Sequence, residues 1–134
     1  MAKTRDQELK EAVLSGTMHL LGPLHGIPIS IKDNIMQSGH TASVGVASLC
    51  NQIFSEDAVI VKLLVKAGAV PMVRGNLPQS ALSIHSMNYV WGEARNPRDT
   101  KRSCGGSSGG DAGLIASRCV PFAVGTDIHK IKNY

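Results

Sequence analysis

Short runs of alternating or continuous apolar residues predict three β-strands. Residues 27–31 alternate around β-branched isoleucines and end at Lys32, residues 69–73 form a second run, and residues 122–124 form a third. Pro71 lies inside the second run and cannot donate a hydrogen bond to a neighbouring strand. The pattern therefore favours an edge position for that strand.

Apolar residues at spacings of three and four predict helices around these strands. The clearest spans residues 55–67, where Ser55, Glu56 and Asp57 supply a predicted cap and first-turn acids. Strand, helix and strand then follow one another, which predicts an α/β sheet with at least one parallel pair. The remaining assignments are helices at 4–15, from Asn76 onward and at 108–117, and loops at 33–55 and 92–106.

Composition restricts the range of functions without identifying one. The 134 residues suffice for one domain at most, 43% are hydrophobic, and the formal net charge is +4. Neither a basic stripe nor an RNA-type aromatic motif accompanies this charge, so we do not expect a nucleic-acid partner. Apolar runs stay below the length of a membrane span, and no transmembrane segment is predicted.

The cysteine and histidine spacings predict neither a disulfide framework nor a metal site. Cys50, Cys104 and Cys119 fit no CxxC pattern, and the five histidines show no paired ligand spacing. An odd number of cysteines behind a polar N-terminus, which lacks an apolar signal core, predicts reduced thiols and a cytoplasmic location.

The segment CGGSSGG at 104–110 carries the strongest chemical signal. Two glycine pairs flank two serines directly before a predicted helix. A flexible linker is one interpretation, although the run is short and lies between ordered-looking segments. A phosphate-binding loop is another, although the GxxxxGK[ST] pattern is absent and no lysine follows the glycines. The latter would make the chain a small anion- or nucleotide-binding module.

A third interpretation explains more of the chain. The chain carries, in this order, GPLHGIP (22–28), KD (32–33), the segment from 57 to GAV (68–70), Asn76, NP (96–97), GGSSGG (105–110) and GTD (125–127). This ordered set of motifs, from about residue 22 to 128, resembles the amidase signature family. Within the family, NLPQS at 76–80 is more similar to the fatty acid amide hydrolase branch than to the amidotransferase subunits. The resemblance implies an α/β fold with a mixed twisted sheet and surrounding helices, of which this chain is the N-terminal, incomplete part.

Family enzymes hydrolyse carboxamides with a serine, a second serine that follows a cis peptide bond, and a lysine. The resemblance assigns the lysine to Lys32 and the bridging serine to Ser107. Burial disfavours the ammonium form and lowers the pKa of a lysine, so Lys32 is expected to act as the base and Ser107 as the proton relay. No metal and no cofactor are required by this mechanism. The other implied positions are the structural glycine loop of Gly105, Gly106, Gly109 and Gly110, with Ala81, Leu82 and Ile128 near the substrate or the oxyanion.

The chain departs from the family after GTD, where a glycine pair and the nucleophilic serine are expected. Here His129 and Lys130 replace the glycines, and Ile131 stands at the serine position. We interpret residues 1–128 as the N-terminal portion of an amidase domain and 129–134 as a non-matching tail, read from an intron or a shifted frame. This chain is expected to be inactive alone.

Two function classes therefore remain beside the anion-binding module. The first is a carboxamide hydrolase acting on a small-molecule amide, with fatty acid amides as the expected substrates once the site is completed. The second is a non-catalytic fragment or pseudoenzyme that binds a paralogue or a lipid. In either case we expect a partner or paralogue to cover the open edges and faces of the sheet, because unpaired strand edges and apolar faces favour association.

Overall fold

A parallel sheet of three strands forms the centre of the structure, a computed structural model that describes residues 1–127. In chain order, the helices and strands of this part are α1 (Ala2–Ser15), β1 (Pro28–Lys32), α2 (Val59–Lys66), β2 (Val70–Gly75), β3 (Met87–Asn88), β4 (Gly92–Glu93), α3 (Gly109–Ala116) and β5 (Phe122–Val124). Single 3-10 turns occupy Met18–Leu20, Ala47–Leu49 and Gln79–Ala81. The predicted α/β architecture with a parallel sheet is thereby confirmed.

Strand β1 is central, with β2 on one side and β5 on the other, and both neighbours run parallel to it. The register with β2 runs from Pro28 opposite Val70 to Lys32 opposite Gly75. It shifts just after Ile29, which lies opposite Pro71. Within the described sheet β2 is an edge strand, as its proline predicted.

The alternation of side chains along β1 gives the two faces of the sheet different chemistry. Ile29 and Ile31 are fully buried and pack with Val61 of α2 in the main hydrophobic cluster. Ser30 and Lys32 are also fully buried but point to the opposite face, where α3 packs. One short strand therefore contributes both to the apolar core and to a buried polar layer.

Helix α2 begins four residues later than the sequence predicted. It starts at Val59, its N-cap residue is Ala58, and the Asp57 carboxylate does not cap it. That side chain instead accepts a hydrogen bond from the backbone N–H of Ser38 at 2.7 Å and so fixes the loop before the helix. The predictions of α1 and α3 agree with the structure to within two residues, and Gly16 ends α1 in a left-handed conformation.

The helix predicted to begin at Asn76 is wrong. The chain makes only the turn Gln79–Ala81, and Ser80 and Ala81 both have a φ of 59°, which an α-helix does not allow. The Asn76 side chain accepts a hydrogen bond from Asn88 Nδ2 at 2.8 Å and donates one to the carbonyl of Gly92 at 3.0 Å. It anchors the antiparallel pair β3–β4, whose second strand lies in a segment predicted to be loop.

Candidate active site

Lys32 lies at the carboxyl end of the central strand, and its side chain is fully buried. Its Nζ donates a hydrogen bond to Ser107 Oγ at 2.6 Å and another to the carbonyl oxygen of Thr126 at 3.0 Å. The structure thus brings together the two residues to which the family resemblance assigns the roles of base and relay, although 75 positions separate them in the chain.

Burial lowers the pKa of Lys32 from the usual value for a lysine. Removal from water penalises the ammonium form, whereas the negative charges of Asp111 and Asp127 oppose this effect by stabilising it. Because burial outweighs the two charges, a larger fraction of Lys32 is the neutral, proton-accepting amine than in an exposed lysine at the same pH.

The glycine–serine loop that presents Ser107 lies between β4 and the start of α3. Its Gly106–Ser107 peptide bond is cis, as the resemblance implies, and Gly105 has a φ of 77°. Gly109 begins α3, and the N–H of Gly110 donates to the carbonyl of Asn76 at 2.9 Å. The four glycines therefore lie where the chain turns from the loop into the helix.

Two adjoining cavities open at Ser107. The larger, of about 400 Å³, is lined by residues of the glycine–serine loop and by Thr126 and Asp127. The smaller, of about 120 Å³, shares Gly106, Ser107 and Asp127 with it and is lined on its other side by residues 81–84. Ala81 and Leu82 therefore lie beside Ser107, where the resemblance implied a substrate contact. Ile128, with Ile131 and the rest of the tail, lies outside the described residues.

A third cavity, of about 310 Å³, shares no lining residue with these two. Asp33, Trp91 and Arg74 are in its wall. The Arg74 guanidinium is already occupied, because it donates to the Asp33 carboxylate at 3.2 Å and to the carbonyl of Ile35 at 2.8 Å. We therefore interpret Arg74 as a support for the segment that follows Lys32 and not as a ligand-binding cation.

Four residues near the site were not predicted as functional: Ser30, Ser86, Asp111 and Thr126. The backbone carbonyl of Thr126 accepts a hydrogen bond from Lys32 Nζ. A backbone role of this kind cannot be predicted from the type of side chain. Asp111 did carry a signal, because it is a lone carboxylate in the otherwise small and apolar segment 109–116. Ser86 and Ser30 are buried serines outside any motif.

The described part of the chain contains no group of three or more His, Cys, Asp or Glu side chains arranged to hold a metal ion. Among the helices within residues 1–127, none has both the length and the apolar character needed to cross a bilayer.

Comparison with known proteins gives consistent matches over almost the whole chain. A sequence model of the family described as Amidase matches residues 2–129. An acetamidase of Emericella nidulans is 42% identical over 81% of the chain, and a glutamyl-tRNA(Gln) amidotransferase subunit from Aromatoleum aromaticum is 43% identical over 79% of it. A solved fatty acid amide hydrolase superposes on 94% of the chain with a TM-score of 0.86 and 34% identity.

These relatives belong to several branches and are much longer. The chain spans 20% of the acetamidase, 22% of the amidotransferase subunit and 21% of the fatty acid amide hydrolase. Identity to the acetamidase and to the amidotransferase subunit is nearly equal, so the matches do not single out the fatty acid amide hydrolase branch that NLPQS at 76–80 suggested.

Proposed function

Because the chain belongs to the amidase family, we propose that it supplies the base and the proton relay of a carboxamide hydrolase. The observation that carries this proposal is the 2.6 Å hydrogen bond between Lys32 Nζ and Ser107 Oγ at the edge of an open cavity. A buried amine beside a hydroxyl is the arrangement that general base catalysis through a relay requires.

In the proposed reaction, a nucleophilic serine attacks the amide carbonyl and gives its proton to Ser107 Oγ. Ser107 passes its own proton to neutral Lys32, which becomes an ammonium. When the C–N bond breaks, the proton returns through Ser107 to the leaving amine, and Lys32 is neutral again. Water then hydrolyses the acyl-enzyme by the same proton path.

The nucleophile itself is not provided by the residue at its expected position. In the family pattern it follows GTD at 125–127, and here that position holds Ile131. We therefore propose that this chain does not hydrolyse amides alone, and that activity requires a polypeptide that supplies the serine and the rest of the domain.

For the substrate, we propose an amide with an apolar acyl group, such as a fatty acid amide. The support is the wall of the smaller cavity, where the apolar side chains of Ala81, Leu82 and Ile84 lie next to Ser107. Leu82 and Ile84 are 72% and 84% exposed, so an acyl chain bound there would cover apolar surface that now faces solvent.

The second candidate function is a non-catalytic fragment that binds an amidase paralogue. One observation favours it: α2 packs Val61 against the sheet, whereas Val59 and Leu63 on the same helix are 74% and 57% exposed. These residues form an apolar helix face that a complementary part of an amidase domain would bury. We propose a cytoplasmic location in both cases, supported by three cysteines that are all free thiols.

The decisive experiment is a chimera in which residues 22–127 replace the matching segment of the Emericella nidulans acetamidase. This places Lys32 and Ser107 beside a nucleophilic serine and a complete domain. We expect acetamide hydrolysis by the chimera and a loss of about 10²–10⁴-fold in kcat when Lys32→Met is introduced. Lys62→Met, on the exposed face of α2, is the matched control and should leave the activity of the chimera unchanged. A folded chimera whose activity is also unchanged by Lys32→Met would overturn the assignment of Lys32 as the base.

A further inference from the structure

Asp111 is a buried carboxylate that the proposed mechanism does not use. It is 3% exposed and is the charged residue of α3, the helix that follows the glycine–serine loop. Its Oδ1 accepts a hydrogen bond from Ser30 Oγ at 2.6 Å, whereas its buried Oδ2 has no hydrogen-bond partner within the described residues. Leaving a carboxylate oxygen without a hydrogen bond in the interior is costly unless a nearby positive charge compensates.

The carboxylate lies on the same face of the sheet as Lys32. Ser30, its hydrogen-bond donor, is two residues before Lys32 on β1 and points to the same side. Gly75 on β2 is the register partner of Lys32, and a methyl group at Gly75 would overlap both oxygens of Asp111. A glycine at this position therefore lets the carboxylate approach the strand position beside the lysine.

The other charged groups around this pair are few. Asp127, after β5, also acts on Lys32, and the positive charge of Arg74 on β2 also acts on Asp111. Arg74 is directed to the Asp33 carboxylate, and β5 itself contains no charged side chain. Lys32 and Asp111 are therefore opposite charges that act on each other on the α3 side of the sheet, with Asp127 as a further negative group.

We propose that Asp111 is a positioning residue: its carboxylate is the buried counter-charge of Lys32 and sets the pH range in which Lys32 accepts the proton passed on by Ser107. This proposal rests on the function proposed above for Lys32 and Ser107. The proton balance is simple, because Asp111 stays ionised while Lys32 cycles between amine and ammonium, so the buried pair changes between a net charge of −1 and zero.

The direction of the electrostatic effects agrees with this role. Burial raises the pKa of Asp111, and both the Ser30 hydrogen bond and the charge of Lys32 oppose that rise. Burial lowers the pKa of Lys32, and the charge of Asp111 is the main opposing influence. Removing the negative charge from Asp111 should therefore lower the pKa of Lys32 further, because only Asp127 would remain to stabilise the ammonium.

The test is a measurement of the pKa of Lys32 in this chain by NMR titration of the 13Cε resonances of labelled lysine, with Lys32→Met used to assign the signal. Asp111→Asn keeps the shape and an oxygen acceptor for Ser30 but removes the charge. We expect it to lower the pKa of Lys32 by about 1–3 pH units. Asp99→Asn is the matched control, since it removes the same charge from an exposed carboxylate paired with Arg102, and it should leave Lys32 unchanged.

Asp111→Ser provides an independent variant if Asp111→Asn fails to fold. It removes the same charge with a smaller side chain whose hydroxyl oxygen can still accept a hydrogen bond, so the pKa of Lys32 should fall in this variant too. An unchanged or raised pKa of Lys32 in the folded variants, or a Lys32 that titrates with the other lysines in the parent chain, would overturn the proposal. The experiment measures a pKa and not hydrolysis. The proposal for Asp111 can therefore fail while the proposed function tested by the chimera holds, and the reverse.

Discussion

The hydroxyl of Ser86 donates a hydrogen bond to the carbonyl oxygen of Ser107 at 3.1 Å, and its Oγ accepts one from the N–H of Gly109 at 2.8 Å. Ser86 is fully buried and lies in a segment with no sequence motif. One hydroxyl thus joins the backbone on both sides of Ser108 and holds the relay serine in place at the start of α3.

The first prediction is that Ser86→Ala lowers the free energy of unfolding by about 1–3 kcal/mol. The substitution leaves the carbonyl of Ser107 and the N–H of Gly109 without this partner inside the protein. Urea unfolding followed by circular dichroism measures the change. Ser117→Ala is the control, because its hydroxyl is exposed and donates only near the end of α3, and it should change the unfolding free energy by less than about 0.5 kcal/mol.

Two glycines of α3 are predicted to differ in their tolerance of alanine. A methyl group at Gly110 would overlap the backbone of Asn76, which cannot move without shifting the strand end, so Gly110→Ala should destabilise the fold by about 1–3 kcal/mol. At Gly113 the nearest atom is the terminal Sγ of Cys104 at 2.9 Å, which can rotate away, and alanine favours the helix. Thermal unfolding of the two variants should therefore rank Gly110→Ala clearly below Gly113→Ala. Equal melting temperatures would contradict the close approach of α3 to Asn76.

The third prediction concerns pH. Because burial lowers the pKa of Lys32 in the folded state, the unfolded chain binds more protons between that pKa and about 10.4. The free energy of unfolding should therefore gain a contribution from Lys32 as pH rises through this interval, and lose it as pH falls. Its slope can reach at most about 1.4 kcal/mol per pH unit.

Urea unfolding at a series of pH values between about 7 and 10, which lie below the usual lysine pKa, checks this sign. The parent chain should gain stability with pH relative to Lys32→Met, in which the titrating group is absent. Lys62→Met, on an exposed side chain, should follow the parent chain. A parent and a Lys32→Met variant with parallel pH profiles would show that Lys32 is not shifted.

The fourth prediction is that this chain does not react with a serine-directed fluorophosphonate. The expected nucleophile position holds Ile131, and Ser107 Oγ accepts a hydrogen bond from Lys32 Nζ that directs its oxygen along the relay. Intact-mass spectrometry should show no stoichiometric adduct, whereas the acetamidase chimera should be labelled under the same conditions. A stoichiometric adduct mapped to Ser107 would make Ser107 itself a nucleophile.

Elements whose conformation depends on residues near them in the sequence could be predicted, whereas elements fixed by contacts with distant residues could not. The strands of the parallel sheet were predictable because the alternation at residues 27–31 reflects two faces of different chemistry, one of which packs in the apolar core. Lys32 followed from its motif. The start of α2 was not, because the Asp57 carboxylate accepts a hydrogen bond from Ser38 in the preceding loop, and residues 55–58 do not form the predicted first turn of the helix. The helix propensity of residues 55–58 contains no information about this hydrogen bond with Ser38.

The same limit applies to the site. The Lys32–Ser107 pairing could be expected because two recognisable motifs each contribute one side chain. The conformation of the segment after Asn76 could not be expected, because its turn places Ser80 and Ala81 at positive φ. Serine and alanine rarely adopt this conformation. Asp111 was visible as an unusual residue, but its function depends on Ser30 and Gly75, which become its neighbours only when β1, β2 and α3 are packed together.

The central position of β1 has a consequence for the order in which the chain acquires its structure. The strand pairs with β2 after a connection of moderate length, but its other neighbour, β5, and the Thr126 carbonyl that binds Lys32 lie more than 90 residues away. During synthesis on the ribosome, the amine of Lys32 therefore emerges long before the groups that enclose it. Because long loops must close before such contacts form, we expect the polar layer beneath α3 to be completed late in folding, after the β1–β2 pair and α2 have formed.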